Sequence, residues 1–250
     1  MQNDTIIMIP ASMASSRLPG KPLLEVGGSP LLKWTYDKAR CAKPRQVFVV
    51  SGDKEIHEYC EKNELHCIKT ELDIPTGTHR CARALELLRI EDEFFFNSIN
   101  NVINLQCDEP LVDSKDIELL YSRNNRKFVI STLVGIIDTG RVNNRNAVKA
   151  TLTDHGGCFP ESRCIWFSRD ESSGSEHIGV YIFQKDALLR LCNVLSHTLL
   201  SVSKSLEQIA WLEYGYKIGA TRTYKKAPLS INTQEDFDEF KRMVENGEVG

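Results

Sequence analysis

The order of apolar runs predicts an α/β fold, a mostly parallel sheet with helices on both faces. Three observations carry this expectation. Short β-branched runs alternate with amphipathic stretches of helical period. The first such run, Thr5 to Ile9, passes directly into a polar loop rich in small residues. Composition is that of an ordinary globular domain, with 41% hydrophobic and 26% charged residues in a chain of 250. No internal repeat or Pro-rich linker divides the chain, so residues 1–250 read as one domain. A more polar second half marks approximately 135–220 as an inserted subregion.

Ser29-Pro30 supplies an N-cap and N1 pair for a helix whose inner face is Leu31, Leu32, Trp34, Thr35 and Ala39. Val47 to Val50 is the second strand, and Asp53 is placed to cap a helix through about Lys62 that leads to a strand at His66 to Lys69. Thr78 to Leu88 reads as helix and Val102 to Gln106 as a buried strand. Asp113 with Asp116 forms a helix-opening cap signal. Phe128 to Val134, Ala147 to Leu152, Cys164 to Phe167 and Ile178 to Phe183 read as strands. Between them lie a polar, turn-rich stretch from Thr139 to Asn146 and a Ser-rich charged loop, Asp170 to Glu176, expected to act as a lid that is mobile until a ligand binds. Helices are expected over Asp186 to Leu195, Lys204 to Tyr214 and Thr233 to Asn246, with a strand near Lys217 to Thr221. Thr233 and Asp236 form the cap signal of the last helix.

Lys and Arg number 31 against 34 Asp and Glu, a formal net charge of -3, so no basic excess advertises a nucleic-acid surface. The eight cysteines form no CxxC pair and have no His partners at zinc spacing, which argues against structural zinc. The Met-Gln-Asn-Asp opening has no basic n-region, and the apolar runs fall well short of the ~20 residues a spanning helix needs. The expectation is a cytoplasmic protein with free thiols and no membrane partner.

Chemistry concentrates in two segments. In the loop from Pro10 through Ala11, Ser12, Ser16 and Arg17 to Lys21, small residues let backbone amides approach a ligand while Arg17 and Lys21 supply cations, an arrangement suited to phosphate. It is neither a P-loop nor a GxGxxG turn, and a surface loop with two solvated cations is the alternative. Gln106-Cys107-Asp108-Glu109-Pro110 puts Asp108 at the carboxyl end of a buried strand, where open α/β sheets bind ligands and where a hard carboxylate suits magnesium. The alternative there is a turn cap beside a solvated glutamate.

Ile9 to Leu23 resembles the Ile-Pro-Ala-Arg-x-x-Ser-x-Arg-Leu-Pro-Gly-Lys-Pro-Leu signature of the CMP-Kdo synthetases, and Val102 to Leu111 resembles their Val-Asn-x-Gln-Gly-Asp-Glu-Pro-Leu. Asp73 to Arg80, Asn146 to Lys149, Trp166 to Arg169, His177 to Tyr181, Ser205 to Gly215 and Ser230 to Phe237 are similar to further segments of that family in the same order. The resemblance implies a Rossmann-like nucleotidyltransferase fold and transfer of CMP from CTP to an acidic 2-keto-3-deoxy sugar, Kdo or a related one, with release of pyrophosphate. It also implies Mg²⁺ and a homodimer, with residues 135–220 serving sugar binding and dimerisation. By resemblance, the nucleotide is held by Pro10, Ala11, Ser12, Ser16, Arg17, Lys21, Thr76, Gly77, Thr78, Arg80, Gln106 and Asp108, with Arg17, Lys21 and Asp108 also catalytic. The sugar falls to Glu109, Pro110, Lys149, Ser168, Arg169, His177, Glu207 and Gln208, and the metal to Asp108 and Asn232. Ser12, Cys107, Gly52, Gln184, Ala210 and Asn232 depart from the pattern: Ser12 and Ala210 stand where the family has arginine, and Asn232 where it has an aspartate ligand. A same-fold enzyme for another acidic sugar or nucleotide, or a catalytically silent nucleotide-binding homologue, are the alternatives.

Overall fold

The first strand forms as β1 (Thr5–Pro10) and is buried along its whole length. It carries no polar alternation because both of its faces are covered: Ile6 and Met8 pack into one apolar cluster, Ile7 and Ile9 into the other. The computed structural model describes residues 4–15, 17–123, 127–153, 162–170, 174–194 and 199–249. Ser16, Cys158, Leu195 and the centre of the expected lid, residues 171–173, lie outside the described residues.

After β1 come a short hairpin, β2 (Glu25–Val26) and β3 (Ser29–Pro30), then α1 (Leu31–Cys41), β4 (Gln46–Ser51), α2 (Lys54–Lys62) and β5 (Cys67–Lys69). The chain continues through α3 (Gly77–Glu91), α4 (Glu93–Asn97), β6 (Asn101–Leu105), α5 (Ser114–Ser122), β7 (Ile130–Ile136), β8 (Lys149–Leu152) and β9 (Ser162–Ser168). It ends with β10 (Ser175–Gln184), α6 (Lys185–Val194), α7 (Leu199–Lys204), α8 (Glu207–Glu213), β11 (Ile218–Lys226) and α9 (Gln234–Glu245).

Among the described residues the main sheet runs β5-β4-β1-β6-β10-β7-β11-β9-β8. β5, β4, β1 and β6 pair in parallel, as do β7 and β11. β10 is inserted antiparallel between β6 and β7, so those two still point the same way, and β9 runs against both β11 and β8. The mostly parallel sheet is therefore present, with β9 and β10 reversed. On one face, α3, α6 and α8 bury residues such as Leu85, Leu188 and Trp211; on the other, α1, α2 and α5 bury Leu32, Ile56 and Ile117. The chain steps from β1 outward to β4 and β5, then returns to the far side of β1 as β6. This reversal makes the carboxyl ends of β1 and β6 a topological switch point, the place where such sheets open a crevice.

Four local expectations are corrected. Ser29-Pro30 pairs as β3, and Pro30 takes the cap position of α1 without a side-chain bond. Asp53 makes no side-chain cap on α2; its carboxylate accepts from the Met13 amide at 3.1 Å and so pins the first loop to the end of β4. The expected helix from Lys204 to Tyr214 is interrupted at Ser205, whose φ of 52° is left-handed and ends α7 before α8 begins. α4, built on three consecutive phenylalanines, is an additional short helix capped by Asp92. The capping box of Thr233 and Asp236 forms as read.

Candidate active site

Two cavities meet at the switch point and share Gln106 and Asp108. The first, about 340 Å³, lies between the loop after β1, the segment leading into α3 and the end of β6. Thr76 caps α3 by accepting from the His79 amide at 3.2 Å, leaving the helix start directed at this space. Gly77 is required by close approach, since a Cβ there would stand 2.9 Å from Pro10 Cγ and 3.2 Å from the Gln106 amide group. Pro10, Ala11 and Ser12 line the same wall, and the Ser12 hydroxyl accepts from the Ala14 amide at 3.2 Å.

The cations of this half hold protein partners. Lys21 Nζ donates to Asp108 Oδ2 at 2.8 Å and to the Ile231 carbonyl at 3.2 Å. Burial works against the lysine charge, but the Asp108 carboxylate outweighs it and raises its pKa above the ordinary value. Arg17 donates to Asn146 Oδ1 and Asn232 Oδ1, each at 2.9 Å, both of them residues of the neighbouring cavity. Arg80 is largely buried, lines the cavity and donates to Thr70 Oγ1 and the Glu71 and Leu72 carbonyls at 2.7, 2.9 and 3.2 Å, so it holds that segment in place.

The second cavity, about 200 Å³, is walled by β10, the start of α8 and the segments around 141–148 and 230–236. Its side chains come from distant parts of the chain. Glu109 Oε1 accepts from the Gly179 amide at 2.9 Å and Ser230 Oγ at 2.7 Å, while burial, then the neighbouring Asp108, push the carboxyl up to about 8. His177 is half-buried between Phe167 and Tyr181, and desolvation followed by the Arg169 charge lowers its pKa to about 3. Its Nε2 lies 2.9 Å from Thr132 Oγ1, which spends its one proton on the Val180 carbonyl at 2.8 Å. Nε2 is therefore the donor, and the neutral ring keeps Nδ1 as an acceptor. Glu207 Oε1 accepts from Thr78 at 2.8 Å, and Gln208 donates to the Tyr181 hydroxyl.

Within this cavity the polar bookkeeping does not close. Glu109 Oε2, Arg141 Nε, Glu176 Oε2, Glu207 Oε2 and Gln208 Oε1 are the buried side-chain nitrogen and oxygen atoms without a partner among the described residues, and all five belong to residues lining it. An unpaired buried polar atom costs ~1–3 kcal/mol, so the concentration of such atoms at one place marks where a polar ligand belongs.

Of the residues read from sequence, Pro10, Ala11, Ser12, Lys21, Thr76, Gly77 and Arg80 gather in the first cavity and Glu109, Arg169, His177, Glu207, Gln208 and Asn232 in the second, with Gln106 and Asp108 between. Arg17 lines neither cavity and bonds to Asn146 and Asn232 of the second. Thr78 faces Glu207 instead of the first cavity. Lys149 and Ser168 stand behind the wall: the Lys149 ammonium donates to the Asn144 and Arg169 carbonyls at 2.7 and 3.3 Å, and Ser168 Oγ accepts from the Asp170 amide at 3.1 Å. Pro110 is buried and lines neither cavity.

Sequence reasoning missed Arg141, Glu176 and Asn104. Asn104 carries a relay between the cavities: Gln106 donates to Asn104 Oδ1 at 2.9 Å, Asn104 Nδ2 donates to Thr78 Oγ1 at 3.2 Å, and Thr78 donates to Glu207. A polar Asn at the centre of an apolar strand was the available signal.

Among the described residues no three His, Cys, Asp or Glu side chains gather as a ready-made metal cluster. Asp108 and Asn232 offer one carboxylate and one neutral oxygen. That set fits a magnesium ion completed by phosphate oxygens and water and does not fit a protein cage. The described cysteines are free thiols, and no helix among the described residues is long and apolar enough to cross a membrane.

Residues 6–218 match the cytidylyltransferase family. The chain is 31% identical to the 3-deoxy-manno-octulosonate cytidylyltransferase of Polynucleobacter necessarius over 96% of each chain. It is 33% identical to the 8-amino-3,8-dideoxy-manno-octulosonate cytidylyltransferase of Shewanella halifaxensis over 92% of this chain and 94% of that one. Its fold is similar to that of a CMP:2-keto-3-deoxy-manno-octonic acid synthetase solved with CTP, with a TM-score of 0.81 at 24% identity over 98% of this chain and 99% of the other. Motifs, fold and full-length similarity agree, and the chain belongs to the cytidylyltransferase family that includes the 3-deoxy-manno-octulosonate cytidylyltransferases.

Proposed function

We propose that this chain transfers CMP from CTP to an acidic 2-keto-3-deoxy sugar, Kdo or a close relative, and releases pyrophosphate. The observation that carries the reading is the junction of two cavities at Asp108: one edged by amides and cations, the other lined by unpaired buried polar atoms that a polyhydroxylated acid would satisfy. The anomeric hydroxyl oxygen of the acceptor bonds to the α-phosphorus as the bond to the pyrophosphate oxygen breaks, and the hydroxyl proton passes to solvent. No covalent enzyme intermediate is needed. Lys21 and Arg17 exchange their present partners for triphosphate oxygens, and the two cavity walls hold the reactants in line.

Magnesium in this proposal is held by Asp108, with Asn232 as a neutral oxygen ligand, and when bound it neutralises phosphate charge. We further propose a cytoplasmic homodimer formed through residues 135–220. Exposed Ile136, Ile165, Val202 and Tyr214 within that range support a buried interface there, and light scattering tests it.

A second reading has a specific basis. Three buried carboxyls, Glu109, Glu176 and Glu207, line the acceptor cavity, which suits an acceptor carrying an amino group, as the name of the Shewanella relative describes for that protein. Pyrophosphate release from each of the four nucleoside triphosphates with Kdo, its 8-amino analogue and sialic acid separates these readings. Nucleotide binding with no turnover on any acceptor would identify a silent homologue.

A further inference from the structure

Arg141 and Glu176 lie 35 positions apart and meet only through the fold. Arg141 ends a short 3-10 turn, Thr139–Arg141, whose cap is Asp138. Glu176 stands near the start of β10, opposite Gly135 of β7 and Lys149 of β8. Arg141 Nη2 approaches Glu176 Oε1 at 3.1 Å, and Arg141 Nη1 donates to the Pro228 carbonyl at 3.3 Å. Glu176 is 3% exposed, and burial raises its carboxyl pKa while Arg141 and Lys149 oppose the rise. Lys149 itself is committed to backbone carbonyls.

A pair that served only to tie the turn to the sheet would be expected to close its hydrogen bonds. This one does not. Arg141 Nε and Glu176 Oε2 are both buried without a partner among the described residues, and both residues line the acceptor cavity. The ion pair thus brings one donor and one acceptor to the lining of the same cavity, held in place by the bonds their other atoms make. That pattern complements two neighbouring hydroxyls, one accepting from Nε–H and the other donating to Oε2. An unpaired buried donor and acceptor also give discrimination, because an acceptor lacking either hydroxyl leaves an orphan in place.

We infer that Arg141 and Glu176 form a hydroxyl-reading pair that selects among polyhydroxylated sugar acids by the position of two adjacent hydroxyl groups. The inference rests on the acceptor reading of this cavity.

The test is steady-state kinetics of the full chain with CTP and each acceptor varied in turn, for wild type, Arg141→Lys and Glu176→Gln, using Kdo and Kdo analogues each lacking one side-chain hydroxyl. Arg141→Lys keeps the charge but loses the Nε–H donor; Glu176→Gln keeps the shape but removes the charge. We expect either change to raise the acceptor KM about 10-fold and to leave the CTP KM within about 2-fold. We also expect one deoxy analogue to be poor for wild type and to suffer no further loss in the variants. Acceptor and CTP constants that move together, or unchanged discrimination between Kdo and every analogue in both variants, overturn the pair. If one variant fails to fold by circular dichroism, the other decides. A wild type that releases pyrophosphate with none of the acids overturns the acceptor reading and the pair with it, whereas turnover with unaltered variant constants overturns the pair alone.

Discussion

The two cavities treat their polar groups in opposite ways. In the half proposed for the nucleotide, Lys21, Arg80 and Ser12 all have protein partners. In the acceptor half, carboxyls and an amide are buried with atoms left unpaired. The first arrangement suits a highly charged ligand, whose charge can outbid a protein partner for a cation. The second suits a neutral polyol surface, which forms hydrogen bonds too weak to displace existing ones and therefore needs vacant ones. Exchange on one side and vacancy on the other follow from the chemistry of the two substrates.

Asp108 belongs to both halves, so its loss should have the largest effect. Asp108→Asn should lower kcat on the order of 10²–10³-fold, read by pyrophosphate release across a magnesium titration with folding checked by circular dichroism. A variant of near wild-type rate at all magnesium concentrations would remove Asp108 from the metal.

Lys21→Ala acts on the nucleotide half alone. It should weaken CTP binding by about 10-fold or more, as expected for a lost charge-assisted hydrogen bond, with acceptor KM unchanged. Calorimetry at matched salt checks this, and unaltered affinity in a folded variant would break the contrast between the halves.

The acceptor half should announce itself through pH. Glu109 titrates near 8 in the folded chain against an ordinary value of 4.5, so the native state retains a proton that the unfolded state releases. Its contribution to stability is complete below about 4.5, declines as pH rises and is gone above about 8. Glu176 and Glu207 are shifted in the same direction by burial. Glu109→Gln should therefore melt several degrees higher relative to wild type at high pH than at low pH, each kcal/mol corresponding to about 2–4 °C. Parallel melting curves for the two proteins across pH 5 to 9 would show that this carboxyl is ordinary.

The smallest effect is expected at Asn232. Asn232→Asp adds a carboxylate beside Asp108 and should lower the magnesium concentration for half-maximal rate by a few-fold, on the order expected for one additional hard oxygen charge. Loss of activity instead would show that Arg17, which already donates to this side chain, cannot neutralise both the new charge and the triphosphate.

These outcomes bear on what sequence could and could not reveal. The strand leading into the first loop, the Asp108 strand end and the capping box at Thr233 were legible as structure because each is local: periodicity, turn chemistry and a cap signal lie within a few residues of one another. Arg141 and Glu176 were not, because each is an ordinary charge in a polar stretch until β7, β8 and β10 bring them together. Ser205 escaped because neither Gly nor Pro marks the break, yet the break is what starts α8 at Glu207 and turns Glu207 and Gln208 toward the cavity. The strand order also escaped, since no periodicity tells that β10 will enter antiparallel between β6 and β7.

Gly52, one of the departures from the family pattern, has a mechanical meaning. A Cβ at that position would stand 2.6 Å from the Glu71 carbonyl oxygen and 2.8 Å from Leu72 Cα, backbone atoms of the segment from which Leu72 lines the first cavity. Arg80 grips the Glu71 and Leu72 carbonyls, so the segment cannot simply back away. The wall is thus clamped between a guanidinium and a bare backbone. Any side chain introduced here would displace that segment before its charge mattered, so grafting a residue onto position 52 carries its geometry along with its chemistry.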